Sequence, residues 1–370
     1  MNIFNFELNL PNVQSRALKY GYSNARVKAM RGLILPPSIF DEMIKSGSVE
    51  SMLDLLQRTA YKEDFISFSV QYKGSELIEI ATSNHFINVV NKLKKIAPKS
   101  DQKFMRAMLA KYDALTVKFL LNAKANGKKY EEIKSMLFYF GSLNEAGCKL
   151  LFEQEISDFL PVLCKTDFGK SINLPAFTNV LKQQKIKTQP SDYSQIFAIQ
   201  SVIDSAVLAY THDSFSKGGY DIKRLYKIAK YEVDIKNIIL ISRLKQKDSQ
   251  ISEQNIKNLL IKGGSLHMPT IKALIDAKDM STTLSILSKI LPDFSIKNDS
   301  ILTISDLEIV LEKNIALSKS RAFKRSILSP GVILGFLLIK EEELNNLRKI
   351  AKAKEFGLSE KETKELLVVI

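Results

Sequence analysis

The sequence predicts an all-α protein, and three observations carry that prediction. Apolar residues recur at positions i, i+3, i+4 and i+7 along most of the 370 residues, as they do on the buried face of a helix. Segments that alternate with a period of two are few. Prolines such as Pro36, Pro98 and Pro330 fall between the periodic segments, where helix breakers are expected. Strands and helices do not alternate, so a Rossmann or phosphate-loop scaffold is not expected.

The helical pattern extends over nearly the whole chain. The best strand candidate is the short segment "DFISFSVQY" that begins at Asp64. The clearest helical segments are, in chain order, "SMLDLLQRTA", "EEIKSMLFYF", "SQIFAIQSVIDSAVLAY", "DIKRLYKIAKYEVDIKNIILISRLK" and "DLEIVLEKNIALSKS".

The charge and the cysteine content indicate which partners and which cellular compartment to expect. Lys and Arg outnumber Asp and Glu by 54 to 40, and the net charge of +14 favours acidic partners: nucleic acid, anionic lipid or an acidic protein surface. Cys148 and Cys164 form no CxxC motif, which indicates a reducing compartment and no disulfide scaffold. The first residues lack the pattern of a signal peptide. The most apolar segment, "GVILGFLLIK", is far shorter than the roughly 20 residues that span a bilayer, so no membrane insertion is expected.

A polar stripe recurs on three of the predicted helices. In each, an acid is followed three residues later by Asn or Thr, and eight residues after that by Lys. At 100° per residue the acid and the Lys lie on nearly the same side of the helix. We interpret these side chains as hydrogen-bonding partners inside the protein. The members are Asp113, Thr116 and Lys124; Asp234, Asn237 and Lys245; Glu343, Asn346 and Lys354; and a degenerate version, Asn24 with Arg31. Arg26 and Arg348, close to two of the asparagines, are candidates for bidentate contacts to carboxylates.

Two further markers keep a constant order with the stripe. A short apolar marker begins at Ile78, Ile199 and Leu307, and lies 38, 38 and 39 residues before the Asn or Thr. A Gly-Ser pair, expected to end one helix and cap the next, occurs at Gly47-Ser48, Gly141-Ser142 and Gly264-Ser265.

These markers predict three similar helical domains, at residues 1–110, 111–230 and 231–370. The last domain includes an extra C-terminal half-unit. That half-unit either caps the array or returns to close a ring against the first unit.

Basic residues cluster after the apolar marker of each unit. They are either a solvated helix face or three equivalent basic zones that face acidic groups or anionic lipid headgroups. The zones are Lys92, Lys94, Lys95, Lys99, Lys103 and Arg106; Lys217, Lys223, Arg224, Lys227 and Lys230; and Lys319, Arg321, Lys324 and Arg325.

No catalytic, cofactor or metal site is expected. His85, His212 and His267 are far apart, and none has the spacing of a metal-binding motif. The tripeptide "DFG" at Asp167 has no Gly-rich loop to accompany it, so a turn explains it better than a kinase site does. The chain is therefore expected not to be an enzyme and to bind no small-molecule substrate.

Three segments resemble one protein family. The segment "YGYSNARVKAMRGLIL" resembles the start of the C subunit of the archaeal and bacterial A/V-type ATP synthases, the counterpart of the d subunit in eukaryotic V-type ATPases. The segments "EVDIKNIILISRLK" and "SPGVILGFLLIKEEELNNLRKIAKAKEFGL" resemble the central helix and the C-terminal signature of that family. The resemblance covers essentially the whole chain. The polar segment from Lys182 to Gln195 departs from it.

The resemblance implies a funnel-shaped, all-α protein with three similar domains in a pseudo-threefold arrangement. It further implies a non-catalytic rotor component of the central stalk, present in one copy per complex. Such a component is a peripheral protein at the cytoplasmic face of the cell membrane, where it links the proteolipid ring to the central shaft. It transmits torque for proton- or sodium-coupled ATP synthesis or hydrolysis. The polar stripe residues Asn24, Asn237 and Asn346, with their charged partners, would then have a second possible role, lining the funnel against the shaft.

The alternative function is that of a basic helical-repeat protein that binds nucleic acid or acts as an adaptor. The net charge of the chain and its repeats fit that class. The basic zones, however, lack interleaved aromatic residues, and the sequence contains no Trp. Nucleic acid is therefore not the expected partner.

Overall fold

A computed structural model describes residues 10–176, 178, 193–247, 256, 260–261, 263–291 and 303–368. Every regular element in these ranges is helical, as the apolar periodicity predicts. Seven long helices of 21 to 28 residues form the framework. They are α1 (Leu10–Arg31), α5 (Gly74–Ile96), α6 (Gln102–Ala125), α11 (Tyr193–Ser216), α12 (Tyr220–Lys247), α15 (Ile304–Lys324) and α16 (Pro330–Glu355).

Shorter helices fill the intervals between the long ones. Several begin with a side-chain cap: Ser48 accepts a hydrogen bond from the N–H of Ser51, and Asn144 accepts one from Gly147. These helices are α2 (Pro37–Lys45), α3 (Val49–Leu56), α4 (Lys62–Phe68), α7 (Tyr130–Ile133), α8 (Glu145–Glu153), α9 (Ile156–Lys165), α10 (Asp167–Ser171), α13 (Met268–Asp276), α14 (Met280–Ile290) and α17 (Glu360–Leu366).

Six of the long helices pack in a cyclic order. They follow one another in the chain as three pairs, α5 with α6, α11 with α12, and α15 with α16. The second helix of each pair packs against the first helix of the next pair: α6 on α11, α12 on α15, and α16 back on α5. The C-terminal pair thus returns to the N-terminal one. Of the two arrangements that the repeats allowed for the C-terminal half-unit, these contacts match ring closure.

The buried apolar side chains form two clusters. The smaller one joins the second half of α6 to α8, α9, α10 and the first half of α11, around Val117, Phe159 and Ile203, each fully buried. The larger one contains the remaining core, including Met43, Met52 and the apolar face of α16. Since N-terminal and C-terminal residues share this larger core, the ends of the chain stabilise each other.

Two sequence-based expectations differ from the structure. The strand candidate from Asp64 is wrong, because residues 62–68 form α4 and the Asp64 carboxylate binds Asn84, His85 and Asn88 on α5. The boundaries expected at 110/111 and 230/231 fall inside the continuous helices α6 and α12.

The C-terminal apolar run lies in α16, a helix that also carries many charged residues. Across the residues that the structure describes, no helix combines the length and the hydrophobicity that a membrane span requires. The polar segment that departs from the family pattern lies largely outside the described residues, which resume at residue 193.

Candidate functional site

A cavity of about 660 Å³ lies between the six cyclically packed helices, and all six contribute to its wall. The lining combines aliphatic side chains with many charged ones of both signs. The charged residues of the lining are Glu79, Lys111, Lys118, Asp204, Glu232, Lys236, Glu308, Glu312, Lys319, Glu341, Glu342, Arg348, Lys349 and Lys352.

Ion pairs across the cavity wall join neighbouring pairs of helices. Lys118 on α6 binds Asp204 on α11 at 2.8 Å. Lys319 on α15 binds Glu232 on α12 at 2.8 Å, and also Glu342 on α16 at 2.6 Å. The charges therefore connect helices of consecutive pairs and are largely compensated within the wall.

Lys111 on α6 reaches across the cavity to Glu341 on α16, with 2.7 Å between its Nζ and Oε2. Burial opposes ionisation of both Glu341 and Glu232, but the nearby ammonium groups of Lys111 and Lys319 outweigh it. The pKa of Glu341 is therefore lowered, and the pKa of Glu232 falls to about 2. For Lys319, burial favours the neutral amine, and the surrounding glutamates raise its pKa despite that. Glu232, Glu341 and Lys319 therefore keep their charges at neutral pH.

The acids of the polar stripe hold the loops that precede three short helices. Asp113 on α6 accepts hydrogen bonds from the backbone N–H of Ser142 at 2.7 Å and from its hydroxyl at 2.9 Å. Asp234 on α12 accepts bonds from the N–H groups of Ser265, at 2.8 Å, and Leu266, at 3.1 Å. The Gly-Ser pairs at 141 and 264 thus bind the stripe instead of capping a helix.

Glycine precedes both of these serines for a steric reason. A Cβ on Gly141 would overlap the carboxylate of Asp113, and one on Gly264 would overlap that of Asp234. The short Asp side chain reaches the loop because the loop backbone can come this close.

The lysines of the stripe bind the opposite ends of the same short helices. Lys124 donates to the carbonyl of Phe152, at the end of α8, at 2.8 Å. Lys245 donates to the carbonyls of Leu274, at 3.3 Å, and Ala277, at the end of α13. An ammonium group stabilises a helix C-terminus because it satisfies carbonyls that have no partner within the helix. We call each set of acid, Asn or Thr, and lysine a helix clamp.

The third helix clamp joins the two ends of the chain. Glu343 on α16 accepts a hydrogen bond from the N–H of Leu35 at 2.9 Å. Lys354 donates to the carbonyls of Ile44, at 3.2 Å, and Ser46, at the end of α2. The short helix that it holds, α2, has nine residues, as do α8 and α13. The loop at Leu35 therefore occupies the position of Ser142 and Ser265.

The middle residues of the clamps bind backbone groups as well. Asn237 exchanges two hydrogen bonds with the backbone of Ile261, both 2.9 Å long. Asn346 makes the same pair of bonds with Val368, at 2.6 and 3.0 Å. Thr116 donates one bond to the carbonyl of Phe138 at 3.3 Å. The C-terminal Val368 thus takes the position that Phe138 and Ile261 hold in the other clamps.

A buried polar cluster reinforces the third clamp. The Tyr61 hydroxyl donates to Glu343 at 2.5 Å, and Lys340 binds the same carboxylate oxygen at 2.5 Å. The Lys340 ammonium group also lies over the Tyr61 ring, 4.5 Å from its centroid. The His85 ring packs against that of Tyr61, with 4.1 Å between the centroids, and binds Asp64 at 2.8 Å. Burial lowers the pKa of His85, although Asp64 partly offsets the effect.

The remaining stripe residues lie at the surface or beside the seam between α16 and α5. Asn24 donates to the carbonyl of Tyr20 in its own helix at 2.9 Å. Arg26 is exposed, and the exposed Arg31 lies over the ring of Phe323. Arg348 donates to the Ser83 hydroxyl on α5 and lines the cavity.

The predicted basic zones divide into internal and exposed residues. Lys95 and Lys99 are exposed. Lys94 is half-buried and donates to the carbonyl of Phe140 at 3.1 Å. Lys319 is buried, with 4 % of its surface exposed, so it belongs to the cavity wall and not to a surface zone. Helical periodicity could have indicated this, since Lys319 follows Ile315 by four residues.

The described residues contain no group of His, Cys, Asp or Glu side chains that could hold a metal ion. Most carboxylates of the wall are instead paired with cations, as in Lys118–Asp204 and Lys319–Glu232. Both cysteine thiols are free. The His212 ring faces the Tyr226 hydroxyl at 2.7 Å, and neighbouring Asp213 binds Lys217.

Comparison with known proteins identifies the family. The sequence model of the ATP synthase (C/AC39) subunit matches residues 23–366. The chain is 26% identical to the C subunit of the A-type ATP synthase of Methanosarcina barkeri over 361 residues, which cover 95% of this chain and 93% of that protein. It is 23% identical to the protein of the same name from Methanocaldococcus jannaschii, with 94% and 86% covered. Because this family model matches residues 23–366 of the 370, the chain belongs to the ATP synthase (C/AC39) subunit family.

Proposed function

We propose that the chain is the central-stalk socket of a rotary A-type ATP synthase, linking the proteolipid ring in the membrane to the central shaft. As a member of this family, it is a structural, non-catalytic subunit of an ATP synthase complex. The observation that supports the socket is the cavity lined by all six cyclically packed helices. A closed wall of this kind can receive an elongated shaft and resist being pulled apart.

The ion pairs of the wall support a role in transmitting torque for proton- or sodium-coupled ATP synthesis or hydrolysis. Ion pairs such as Lys118–Asp204 and Lys319–Glu232 connect consecutive helix pairs. A tangential force on one pair would therefore be passed to the next through charge pairs and packed side chains. In this role one copy serves each complex, as a peripheral protein at the cytoplasmic face of the membrane.

The three helix clamps support a pseudo-threefold, funnel-like arrangement of three domains. We place the units differently from the boundaries expected at 110/111 and 230/231. Residues 74–176 form one unit and 193–291 the second. The third combines residues 303–368 with 35–68, because the clamp of Glu343 and Lys354 holds the loop and helix that begin at Leu35 and Pro37.

A photo-crosslinking experiment tests the socket. Leu115 lines the cavity and is 54 % exposed, whereas Leu150 on α8 is 48 % exposed and lies outside it. A photoreactive amino acid at position 115, in the complex purified from membranes, should crosslink to a shaft subunit. The same amino acid at position 150 should not.

Absence of a crosslink from position 115, or equal crosslinking from both positions, would contradict the socket. Purification through a tag on this chain gives a second readout. Co-purification of shaft and proteolipid subunits supports the proposal. Recovery of nucleic acid in their place would support the alternative, a basic repeat protein that binds nucleic acid.

A further inference from the structure

In each helix pair a turn joins the first helix to the second, and these three turns lie together at one end of the protein. The start of α6 meets the end of α11, where the rings of Phe104 and Phe215 are 5.8 Å apart. The start of α12 meets the start of α16, where the Ser329 hydroxyl donates to Asp221 at 2.5 Å. We call this region, with its turns at 97–101, 217–219 and 325–329, the turn end.

Helix α1 extends across the turn end from the first turn to the third. Lys19 binds Asp101 of the first turn at 3.2 Å. Further along the same helix, the Arg31 guanidinium lies 5.4 Å from the centroid of the Phe323 ring, just before the third turn. Over Leu10–Arg31 the helix carries five Lys and Arg residues and no carboxylate.

The exposed charge of the turn end is strongly positive. Lys95, Lys99, Lys324 and Arg325 are all exposed there. The carboxylates of the region are already engaged with cations. Asp101 is buried against Lys19, Asp221 lies 3.6 Å from Arg224, and Asp213 binds Lys217 at 2.8 Å. An anionic partner would therefore meet cations without a competing acidic surface.

Apolar side chains protrude among these cations. Leu18 is 88 % exposed, Ile327 72 %, Tyr22 68 % and Tyr220 79 %. The two most exposed positions beside the cations of the first and third turns, Leu18 and Ile327, are aliphatic and do not stack on bases, so nucleic acid gains little from them. At a bilayer surface, by contrast, they enter the boundary between headgroups and acyl chains, while lysines bind the lipid phosphates.

We propose that the turn end binds the phosphate headgroups of anionic phospholipids at a bilayer surface, with Leu18 and Ile327 inserted between the lipids. The binding requires no other subunit. It therefore goes beyond the socket function and is tested without it.

The test uses the purified full-length chain and extruded vesicles in a co-sedimentation assay. Vesicles of phosphatidylcholine alone are compared with vesicles that contain about 30% phosphatidylglycerol. The chain should bind the anionic vesicles and not the neutral ones. Combining Lys95→Gln, Lys99→Gln, Lys324→Gln and Arg325→Gln should reduce that binding by about tenfold or more, since each cation near an anionic surface contributes favourably.

A matched control set removes the same charge elsewhere. Lys128, Lys149, Lys272 and Lys361 are exposed and lie away from the three turns, near the other ends of the long helices. Replacing these four by Gln should leave vesicle binding within about twofold of that of the original chain. Equal loss from both sets would show a response to net charge alone and would overturn the proposal.

The apolar part of the proposal has its own variant. Leu18→Ser with Ile327→Ser should weaken binding to anionic vesicles by about fivefold or more. Equal binding to neutral and anionic vesicles, or vesicle binding that the serine pair does not alter, would overturn the insertion. Since no other ATP synthase component is present, neither result bears on the socket.

Discussion

Lys319 separates two carboxylates in the wall of the cavity, Glu232 on one side and Glu342 on the other. Its own pKa is raised because burial, which favours the neutral amine, is outweighed by the glutamates around it. A single buried ammonium group thereby fixes three helices, α12, α15 and α16. The stability of this part of the wall depends on Lys319 and both glutamates being present. If Lys319 is removed, each carboxylate is left as a buried, uncompensated charge.

Replacing Lys319 with Met should therefore lower the free energy of unfolding by about 3–5 kcal/mol. Urea denaturation followed by circular dichroism measures this change. Lys324→Met, on an exposed position of the same helix, serves as the control and should stay within about 0.5 kcal/mol of the original protein. A Lys319→Met variant as stable as the control would show that the ion pairs contribute nothing net.

The helix clamp is the recurring unit at the scale of elements. An acid holds the loop before a nine-residue helix, and a lysine eleven positions later holds the end of that helix. The spacing follows from geometry: eleven residues of a helix rise about 16 Å, somewhat more than the length of a nine-residue helix. One long helix can thus bind both ends of a short one that lies beside it.

The glycines before Ser142 and Ser265 give the clamp a testable steric requirement. Gly141→Ala should destabilise the protein by about 1–3 kcal/mol, because the added methyl group displaces the Asp113 carboxylate or the loop. Gly47→Ala is the matched control, since nothing lies within 4 Å of the added Cβ. Thermal unfolding of the two variants distinguishes them. Equal melting temperatures would contradict the close approach.

The sequence predicted the clamp residues but not what they bind. Acid, Asn and lysine were recognised on one side of each helix, because period and spacing are local properties of the chain. The partner of Glu343 is 308 residues away, and no local pattern links it to Leu35. The Gly-Ser pair of the first unit is not equivalent to the other two, although the sequence suggested that it was. Gly47-Ser48 ends α2 and caps α3, whereas the true counterpart of Ser142 is Leu35, which has Ile34 before it.

A physical reason explains why the third clamp lacks a glycine. Its acid is Glu343, whose side chain is one methylene longer than those of Asp113 and Asp234. The longer side chain can bind the N–H of Leu35 without the loop backbone coming as close to the helix. The partners in the ion pairs of the cavity wall were likewise beyond prediction from the sequence alone. Its ion pairs join residues of different helix pairs, and Lys319 was indistinguishable by residue type from its exposed neighbours Lys324 and Arg325.

The third clamp closes the whole molecule, because it joins residues 35–46 to residues 343–354. If the three clamps are equivalent, their lysines should contribute equally to the free energy of unfolding. This should hold although the third lysine binds residues about 300 positions away, whereas the other two bind residues about 30 positions away. We expect Lys124→Met, Lys245→Met and Lys354→Met each to lower the free energy of unfolding by about 1–2 kcal/mol, since each removes a charged donor from helix-end carbonyls.

Denaturant unfolding of the three single variants measures this equivalence. The exposed Lys361, beyond the end of α16, provides the control in Lys361→Met. A loss confined to the Lys124 and Lys245 variants would mean that the closing clamp contributes less than its two counterparts.

The closing clamp also has a consequence for synthesis on the ribosome. Helix α2 and Met52 of α3 belong to the core that contains α16, so they emerge early and find their partners only after about 300 further residues have been made. At about 5–20 residues per second that delay is about 15–60 s. Throughout it, Met43, Ile44 and Met52 have no complete core to enter. The nascent N-terminal segment therefore presents an apolar surface for chaperones until the last helices leave the exit tunnel.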